Sequence, residues 1–586
     1  MHQTKKRVTA SSTTPRMSGA SILAAHTSTS AHSATKATLH IHAKQEHKGP
    51  NTNSRTNLGN SPTKLPTPIK VQPLNRLLRK YQDRDYIVQG FLHGFKIDFQ
   101  GEESSLFSKN SASATHNPEV VASKLHNEQR LGRIAGPFNQ PPFNNFKSSP
   151  LAIREKSEAG KYRVLHNLSY PYDLNSVNHN IPKDSTQVQY ASIKDAIEVI
   201  QQHGTSTFMA KADIADAFRL IPLHPSSYHL TGFQWNGFWY DKCLPMGCSQ
   251  SCKIFERFSD ALQWILMEHF KVPSIKLLDD FLFLAPTERQ CRKALFTFQQ
   301  VCQQLNIPIA AHKTTPPSQS IVFLGIELDS LNMQARLPQE KIMKYQAEVA
   351  ALITEKKVTL RHLRSVIGML QFSTSIITTG RPFLRRLYDL TMQASKPFHK
   401  IDITTQVKAD LQMWDKFLSK YNGVSLITPH YLADSQTLHL YSDASKSGYG
   451  VTFKTNWFQG KWSNDWKAYD ITVLELYPIY MALSIFASQL AHHRVVFHCD
   501  NQAIVAVINK QTSKSKPIMS IIRPFVLILL KNDIHFSALH IPGVDNTICD
   551  FLSRQEATPA FIKTYGMSPS PTKIPHHILP ENFCPS

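Results

Sequence analysis

The stretch Ile275–Ala285, IKLLDDFLFLA, sets two adjacent aspartates inside a run of Ile, Leu and Phe. An ionised carboxylate in apolar surroundings is costly unless a cation or several donors satisfy it. The one basic residue within the stretch is Lys276. Two readings stay open: an exposed Asp-Asp turn between buried strands, or a site to which something positive comes. Alternate residues of a straight strand face opposite ways, so Asp279 and Asp280 address one ligand only if a tight hairpin separates KLL from FLFLA. A second such carboxylate lies upstream in KADIADAF, Lys211–Phe218, where Asp213 ends a strand that follows the apolar FMA. On neighbouring strands the two sites would meet and share divalent cations. Two Mg²⁺ about 3.5–4 Å apart, bridged by carboxylates, form the clamp used for in-line phosphoryl transfer.

Composition points to a polyanionic partner. Over 586 residues the formal charge is +22, a field that favours nucleic acid. Residues 1–75 hold ten Lys and Arg against one acid, Glu46, so most of the excess lies in the body of the chain. Eight scattered cysteines give no disulfide framework and suit a reducing compartment. Cys243, Cys248 and Cys252 read as packing or substrate-facing thiols. No apolar run is expected to reach the ~20 residues of a membrane span, and no secretory signal is evident. The expected location is therefore cytoplasm or nucleus, without membrane attachment.

The length allows roughly three to five domains. Residues 1–75, rich in Ser, Thr, His, Asn and Pro, read as a disordered basic arm. Residues 76–145 form an N-terminal extension, with an amphipathic helix over LNRLLRKYQDRDYIVQGFLHGF (74–95) and a turn-rich GPFNQPPFNNF. From 146 to 335 short apolar runs alternate with helical stretches. Residues 336–400 read as helical, with LRHLRSVIGMLQF carrying Arg361 and Arg364. A linking stretch spans 401–435, a strand-rich segment 436–555, and a loose Pro-rich tail 556–586.

Between the two acidic motifs lies LPMGCSQSCKIFERFSDALQWIL. Gly247 would let the backbone approach a ligand closely, and Phe255, Phe258, Leu262 and Ile265 mark the core face of a helix. Further on, four carboxylates again stand at element ends: Asp443 in TLHLYSDASKSGYGVTF, Glu475 in VLELYPIYMALSIF, Asp500 in RVVFHCDNQAIVAVI and Asp550 in LHIPGVDNTICDFLSR. They need cations for the same reason as the first group.

In order and spacing these motifs resemble a retroelement reverse transcriptase followed by RNase H. ADIADAF, LPMGCSQS and LLDDF resemble the three palm motifs, and HK with FLGIEL the lysine motif and primer grip. AIREKSEAGKYRVLHNLSYPYDLN resembles the fingers strands, and LRSVIGMLQFSTSIITTGRPFLRRLYDL the thumb. The segment around Asp443, Glu475, Asp500 and Asp550 resembles the Asp-Glu-Asp-Asp RNase H fold, with Asn546 at the family's asparagine. The N-terminal block, LPMGCSQS and YSDASKSGYG look most like tyrosine-recombinase (DIRS-like) retrotransposons, whose recombinase is separately encoded.

The resemblance implies an α+β multidomain chain: a fingers-palm-thumb right hand, then an RNase H-like α/β domain. It implies an RNA-directed DNA polymerase and ribonuclease H, acting on RNA template, DNA primer, dNTPs and RNA–DNA hybrid. Each site would hold two Mg²⁺, with Mn²⁺ as a substitute: Asp213, Asp279 and Asp280 in one, Asp443, Glu475, Asp500 and Asp550 in the other. Arg163, Phe218, Met246, Gly247 and Lys313 would bind the nucleotide. Phe218 would gate against a 2′-hydroxyl and Lys313 protonate pyrophosphate. Arg361, Arg364, Arg381, Arg385 and Arg386 would contact the duplex backbone. Leu277 stands where the family carries tyrosine, and Cys252 where proline is common. The family's mobile-loop histidine has no expected counterpart, since His540 reads as a strand residue. The rival readings are a decayed or domesticated copy that binds without catalysis, and a structural nucleic-acid binder acting through its basic arm.

Overall fold

A computed structural model describes residues 65–155, 160–420, 425–426 and 437–585. Most of the expected arm (1–64) and much of the expected linking stretch (421–424 and 427–435) lie outside the described residues. Packing begins before residue 75. The amphipathic stretch forms two helices rather than one, α1 (Val71–Leu77) and α2 (Arg84–His93). The polar run Arg79–Asp83 interrupts the apolar face, and Asp83 turns to pair with Arg257 at 2.9 Å. Leu74, Leu78, Ile87 and Phe91 join the same core as the helices behind the central sheet.

The fingers combine a five-stranded sheet, which pairs Leu106–Phe107, Lys147–Ser148, Gly232–Gln234, Phe238–Asp241 and Ile134–Phe138 in that order, with a hairpin of β1 (Leu151–Glu155) and β2 (Tyr162–His166). Their base holds a buried ionic knot. Arg219 meets Asp241 at 2.8 Å and Glu128 at 2.9 Å, and His166 meets Asp241 at 2.9 Å. Burial works against the Asp241 charge, but Arg219 and His166 hold its carboxyl below the usual range.

The palm carries α3 (Ile193–His203), β3 (Phe208–Asp213), α4 (Ser251–Phe270), β4 (Ile275–Leu277), β5 (Asp280–Ala285), α5 (Glu288–Leu305) and β6 (Thr315–Ser318). The four strands form an antiparallel sheet in the order β6-β3-β5-β4. Alternation divides it between two cores. Met209, Leu282 and Leu284 face α3, whereas Ala210, Ala212, Phe281 and Phe283 face α4 and α5. Such two-sided burial explains why FLFLA is apolar throughout.

Three strands, β7 (Ser320–Phe323), β8 (Ile326–Asp329) and β9 (Gln334–Arg336), lead into the thumb helices α6 (Gln339–Thr354), α7 (Leu360–Ser373) and α8 (Arg385–Thr391), followed by α9 (Thr405–Lys420). The last domain contains β10 (Thr437–Ala444), β11 (Gly448–Phe453), β12 (Asn456–Lys461), α10 (Ile471–Leu490), β13 (Arg494–Cys499), α11 (Gln502–Lys510), α12 (Lys516–Lys531), β14 (His535–His540) and α13 (Thr547–Arg554). Its sheet runs β12-β11-β10-β13-β14, with the first three antiparallel and the last two joined in parallel. The architecture is thus a right hand followed by an RNase H-like α/β domain. Helix α10 is, contrary to expectation, long and apolar enough to cross a membrane. It is the core helix of this domain, buried along most of its length.

The tail after 555 is not loose. Pro559–Thr564 is helical, and beyond it Tyr477 Oη donates to the Ile578 carbonyl at 3.0 Å and Trp466 Nε1 to that of Pro580 at 2.6 Å. Prolines fix an extended backbone at little entropic cost, so sparse anchors suffice to dock it. Phe583 sits among Trp466, Tyr477 and Tyr480, with ring centroids 5.1–6.5 Å away. Phe583→Ala should lower the stability of the C-terminal domain by roughly 1–3 kcal/mol. Calorimetry reads this as a lower Tm, and an unchanged Tm would contradict the docking.

Candidate active sites

The β4–β5 hairpin turns at Leu278 and Asp279, with Leu278 in the left-handed region at φ 54°. That turn frees Asp279 from strict alternation. Asp280 lies directly opposite Asp213 across the ladder, and Ile214 N donates to the Asp279 carbonyl at 2.9 Å. Asp213, Asp279 and Asp280 therefore share one end of the sheet. Lys276, the sole nearby base in sequence, points away: it is buried on α4 against Glu256 and Asp260, each at 2.7 Å.

Burial, with Asp213 beside it, raises the Asp279 carboxyl. Burial pushes Asp280 to about 6, with Lys211 opposing and Asp213 and Asp279 adding to the rise. Asp280 Oδ1 is buried and has no hydrogen-bond partner. Lys313 Nζ bridges both Asp213 oxygens at 3.0 and 2.9 Å. The orphaned Asp280 oxygen is of the hard, anionic kind that a divalent cation takes, while Lys313 occupies both Asp213 oxygens. Across the cleft, Arg163 acts electrostatically on Asp279, and its cross-strand partner on the fingers hairpin is Arg154. Sequence reading passed over Arg154 and Lys211, because only the strand register exposes their roles.

The other expected nucleotide contacts divide. Phe218 is half-buried with its ring edge-on to Phe255 at 5.6 Å, and Met246 is exposed. Gly247 does admit a close approach, but of the protein itself. A Cβ there would stand 1.6 Å from the His166 carbonyl oxygen, so β2 is the neighbour that requires glycine. Asn178 secures the same segment, donating to the Gly247 carbonyl at 2.8 Å and accepting from Ser249 N at 2.8 Å. Of the thumb arginines, Arg361 and Arg364 are exposed on α7, and Arg381 is half-buried. Arg385 pairs with Asp389, one helical turn on. Arg386 meets the buried Asp410 of α9 at 2.8 Å, with Arg523 of α12 at 3.5 Å from the same oxygen. Those last two arginines are committed to intramolecular ion pairs rather than presented to a duplex.

The second set also converges. Asp443 ends β10, Glu475 interrupts the apolar α10, Asp500 follows β13 and Asp550 lies on α13. Burial lifts Asp443 to about 6 and Glu475 to about 9, aided in each case by neighbouring carboxylates. Ligand atoms of Glu475, Cys499 and Asp500 lie within 4.8 Å of one another. Cys499 was missed, although alternation along β13 puts it on the face that α10 covers. Asn546 Nδ2 donates to the Ser442 carbonyl at 2.9 Å and so anchors α13 beside Asp443. Arg554 Nε meets Asp550 at 2.8 Å. His540, expected to be an ordinary strand residue, is the last of β14, pairs in register with Cys499 and acts on the neighbouring Asp500. The strand ends there, which leaves the imidazole exposed at the site's rim.

Residues 153–328 match the family described as reverse transcriptase (RNA-dependent DNA polymerase), a span that includes Asp213, Asp279 and Asp280. The chain carries a reverse transcriptase domain. It is 23% identical over 488 residues to the putative enzymatic polyprotein of cassava vein mosaic virus, covering 79% of this chain and 69% of that protein. Protein P of duck hepatitis B virus is 32% identical over 124 residues, 21% of this chain and 16% of the viral protein. A foamy viral protease-reverse transcriptase solved with double-stranded DNA aligns over 83% of this chain and 84% of its own, at 15% identity and a TM-score of 0.46.

Carboxylates raised towards 6 bind protons in competition with cations. Divalent-cation affinity should therefore climb between about pH 5 and 7, by up to about tenfold per unit for each proton displaced. The sign for folding is opposite. A carboxyl raised in the folded state stabilises at low pH, and that contribution is lost as pH rises through about 6. Titration calorimetry across this range checks the first, and a pH-independent affinity would refute it.

Proposed function

We propose that the protein is an RNA-directed DNA polymerase with ribonuclease H activity, the copying enzyme of a retroelement of the DIRS-like kind. The observation that carries this reading is the Asp213–Asp280 pair across the palm ladder with Asp279 at the adjoining turn. A buried like-charge pair is destabilising unless a cation is part of the design.

Asp213, Asp279 and Asp280 would hold two divalent cations, Mg²⁺ or Mn²⁺. Bound there, these supply the charge that lowers the pKa of a primer 3′-hydroxyl and stabilises departing pyrophosphate. The protein's own groups do the rest. Arg163, with Arg154 beside it, receives the triphosphate of a dNTP from the fingers side. Phe218 restricts the space around the sugar's 2′ position. Lys313, displaced from Asp213, is a proton donor within reach of the leaving group.

Asp443, Glu475, Asp500 and Asp550 would hold the second pair of cations, whose charge, when bound, would supply the activation of a water against the RNA strand of a hybrid. His540 lies beside Asp500, where an imidazole carries protons to and from the cleaved phosphate. Arg554 orients Asp550.

Primer extension on a doubly labelled RNA template tests both activities in one tube. Asp279→Asn/Asp280→Asn should cost extension about a thousandfold or more and spare RNA cleavage. Asp443→Asn should do the reverse. A folded wild type without extension would favour a binding-only, decayed copy. A separate comparison concerns the rim histidine. His540→Ala should slow cleavage roughly ten- to a hundredfold, with extension unchanged. Equal cleavage by the variant would remove His540 from the mechanism.

A further inference from the structure

The ionic knot at the base of the fingers closes around one short piece of chain, the turn Asp216–Arg219 that follows the strand ending at Asp213. Residues on both sides of Phe218 are tied down. Asp216 takes the left-handed backbone, φ 56°, and its carbonyl accepts from Arg219 N at 2.7 Å. Its carboxylate accepts from Arg133 Nη1 at 3.0 Å. Arg219 Nη1 meets Asp241 at 2.8 Å, while Nε and Nη2 each meet Glu128 Oε2 at 2.9 Å. Glu128 lies on the helix Pro118–Arg130 of the N-terminal extension and also faces Arg133, at 3.5 Å. One carboxylate thus braces both arginines, and the backbone that carries the Phe218 ring is held from either side.

The same knot reaches the neighbouring walls of the candidate nucleotide site. Arg219 Nη1 lies 3.4 Å from the carbonyls of Cys243 and Leu244, which lead into Met246 and Gly247. The His166 ring meets the second Asp241 oxygen and the Gly232 carbonyl, each at 2.9 Å, and the His166 carbonyl is the group that rests against Gly247. Buried ion pairs are a weak source of stability, and apolar side chains of similar volume pack as well or better. What a guanidinium adds is direction, because it takes its partners in one plane at fixed angles. A knot of this kind suits a place where a side chain must be aimed.

We propose that the knot of Arg219, Glu128, Asp241 and Arg133 positions Phe218 and thereby sets how strongly the site prefers deoxyribose to ribose. This rests on the polymerase reading above, in which Phe218 is the side chain that meets the sugar. The knot residues act through Phe218 and touch no substrate, so they are positioning residues. Exclusion of a single hydroxyl is a matter of van der Waals contact, and a gap of about 0.5–1 Å already changes such a contact substantially. Loosening the turn at either end should therefore admit ribonucleotides before it harms the use of deoxyribonucleotides.

The test is single-nucleotide primer extension by the full chain, comparing kcat/KM for a dNTP and the matching rNTP. Glu128→Ala leaves Phe218 in place and removes the carboxylate that both arginines share. Selectivity for the dNTP should fall about tenfold or more, chiefly through faster use of the rNTP. Glu128→Gln keeps an acceptor oxygen and should recover most of it. Phe218→Ala should abolish most of the selectivity, and Glu128→Ala added to it should change the ratio no further, since both act through one ring. If Glu128→Ala does not fold, Asp216→Asn takes its place, because asparagine tolerates the left-handed backbone while the charge that holds Arg133 is lost. Unchanged selectivity in the folded variant overturns the proposal. So does an equal loss with both nucleotides, or an effect that adds to that of Phe218→Ala, either of which would mark a purely structural role. A wild type that extends with neither nucleotide removes the polymerase reading and this role with it, whereas wild-type extension with unaltered selectivity in the variants removes this role alone.

Discussion

Everything in the palm is arranged around two carboxylates set opposite each other on neighbouring strands. Asp213 and Asp280 form a cross-strand pair at the rim of the sheet, where like charges repel at close range and burial magnifies the repulsion. The strands hold that position because the rest of β5 is apolar on both faces and sealed by helices on each side. Moving the pair apart would require a register slip, and a one-residue slip would exchange Phe281 and Phe283 with Leu282 and Leu284 between two differently shaped cores. Packing therefore imposes the electrostatic strain, and only protonation or a cation relieves it.

The C-terminal domain meets the same problem with different means. Glu475 is the one charged residue of a helix that is buried along most of its length, so its carboxylate is buried by the packing of α10 itself. Around the palm trio stand Lys211, Lys313 and Arg163. The second cluster has Arg554 and His540 at its exposed edge and the Cys499 thiol at its buried one. With fewer cations of its own, it holds a carboxyl that burial carries up to about 9, well beyond anything in the palm. The two sites thus differ in how strongly they depend on a bound ion for their charged form.

How much of this was legible in the sequence depended on range. The IKLLDDFLFLA hairpin, the strand ending at Asp213 and the helix marked by Phe255, Phe258, Leu262 and Ile265 follow from local periodicity, which alternation and helical spacing encode directly. Gly247 was legible as a glycine that something approaches, but the approaching group is the His166 carbonyl, 81 positions away in the chain. Arg386 lies on an amphipathic helix like any surface arginine, and nothing local marks Asp410 as its partner. Arg154 and His540 acquire their places from strand register and strand length, each decided by a single residue. The tail misled for a related reason. Its composition resembles a linker, and its few anchors, Ile578 and Phe583, matter only because Trp466 and Tyr477 present a surface for them.

The N-terminal extension shows why such long-range ties bear on function and not merely on stability. Helices α1 and α2 share a core with α4 and α5, so the extension is a fixed part of the palm. Asn178 links the Tyr170–Tyr172 loop to the Gly247 segment, and Gly247 in turn rests on β2, which carries Arg163. The exposed loop and the strand that carries Arg163 are thereby joined through hydrogen bonds and steric contact. Extension, fingers and palm are separated in sequence, yet one shared core and the Asn178 hydrogen bonds hold them together beside the carboxylates.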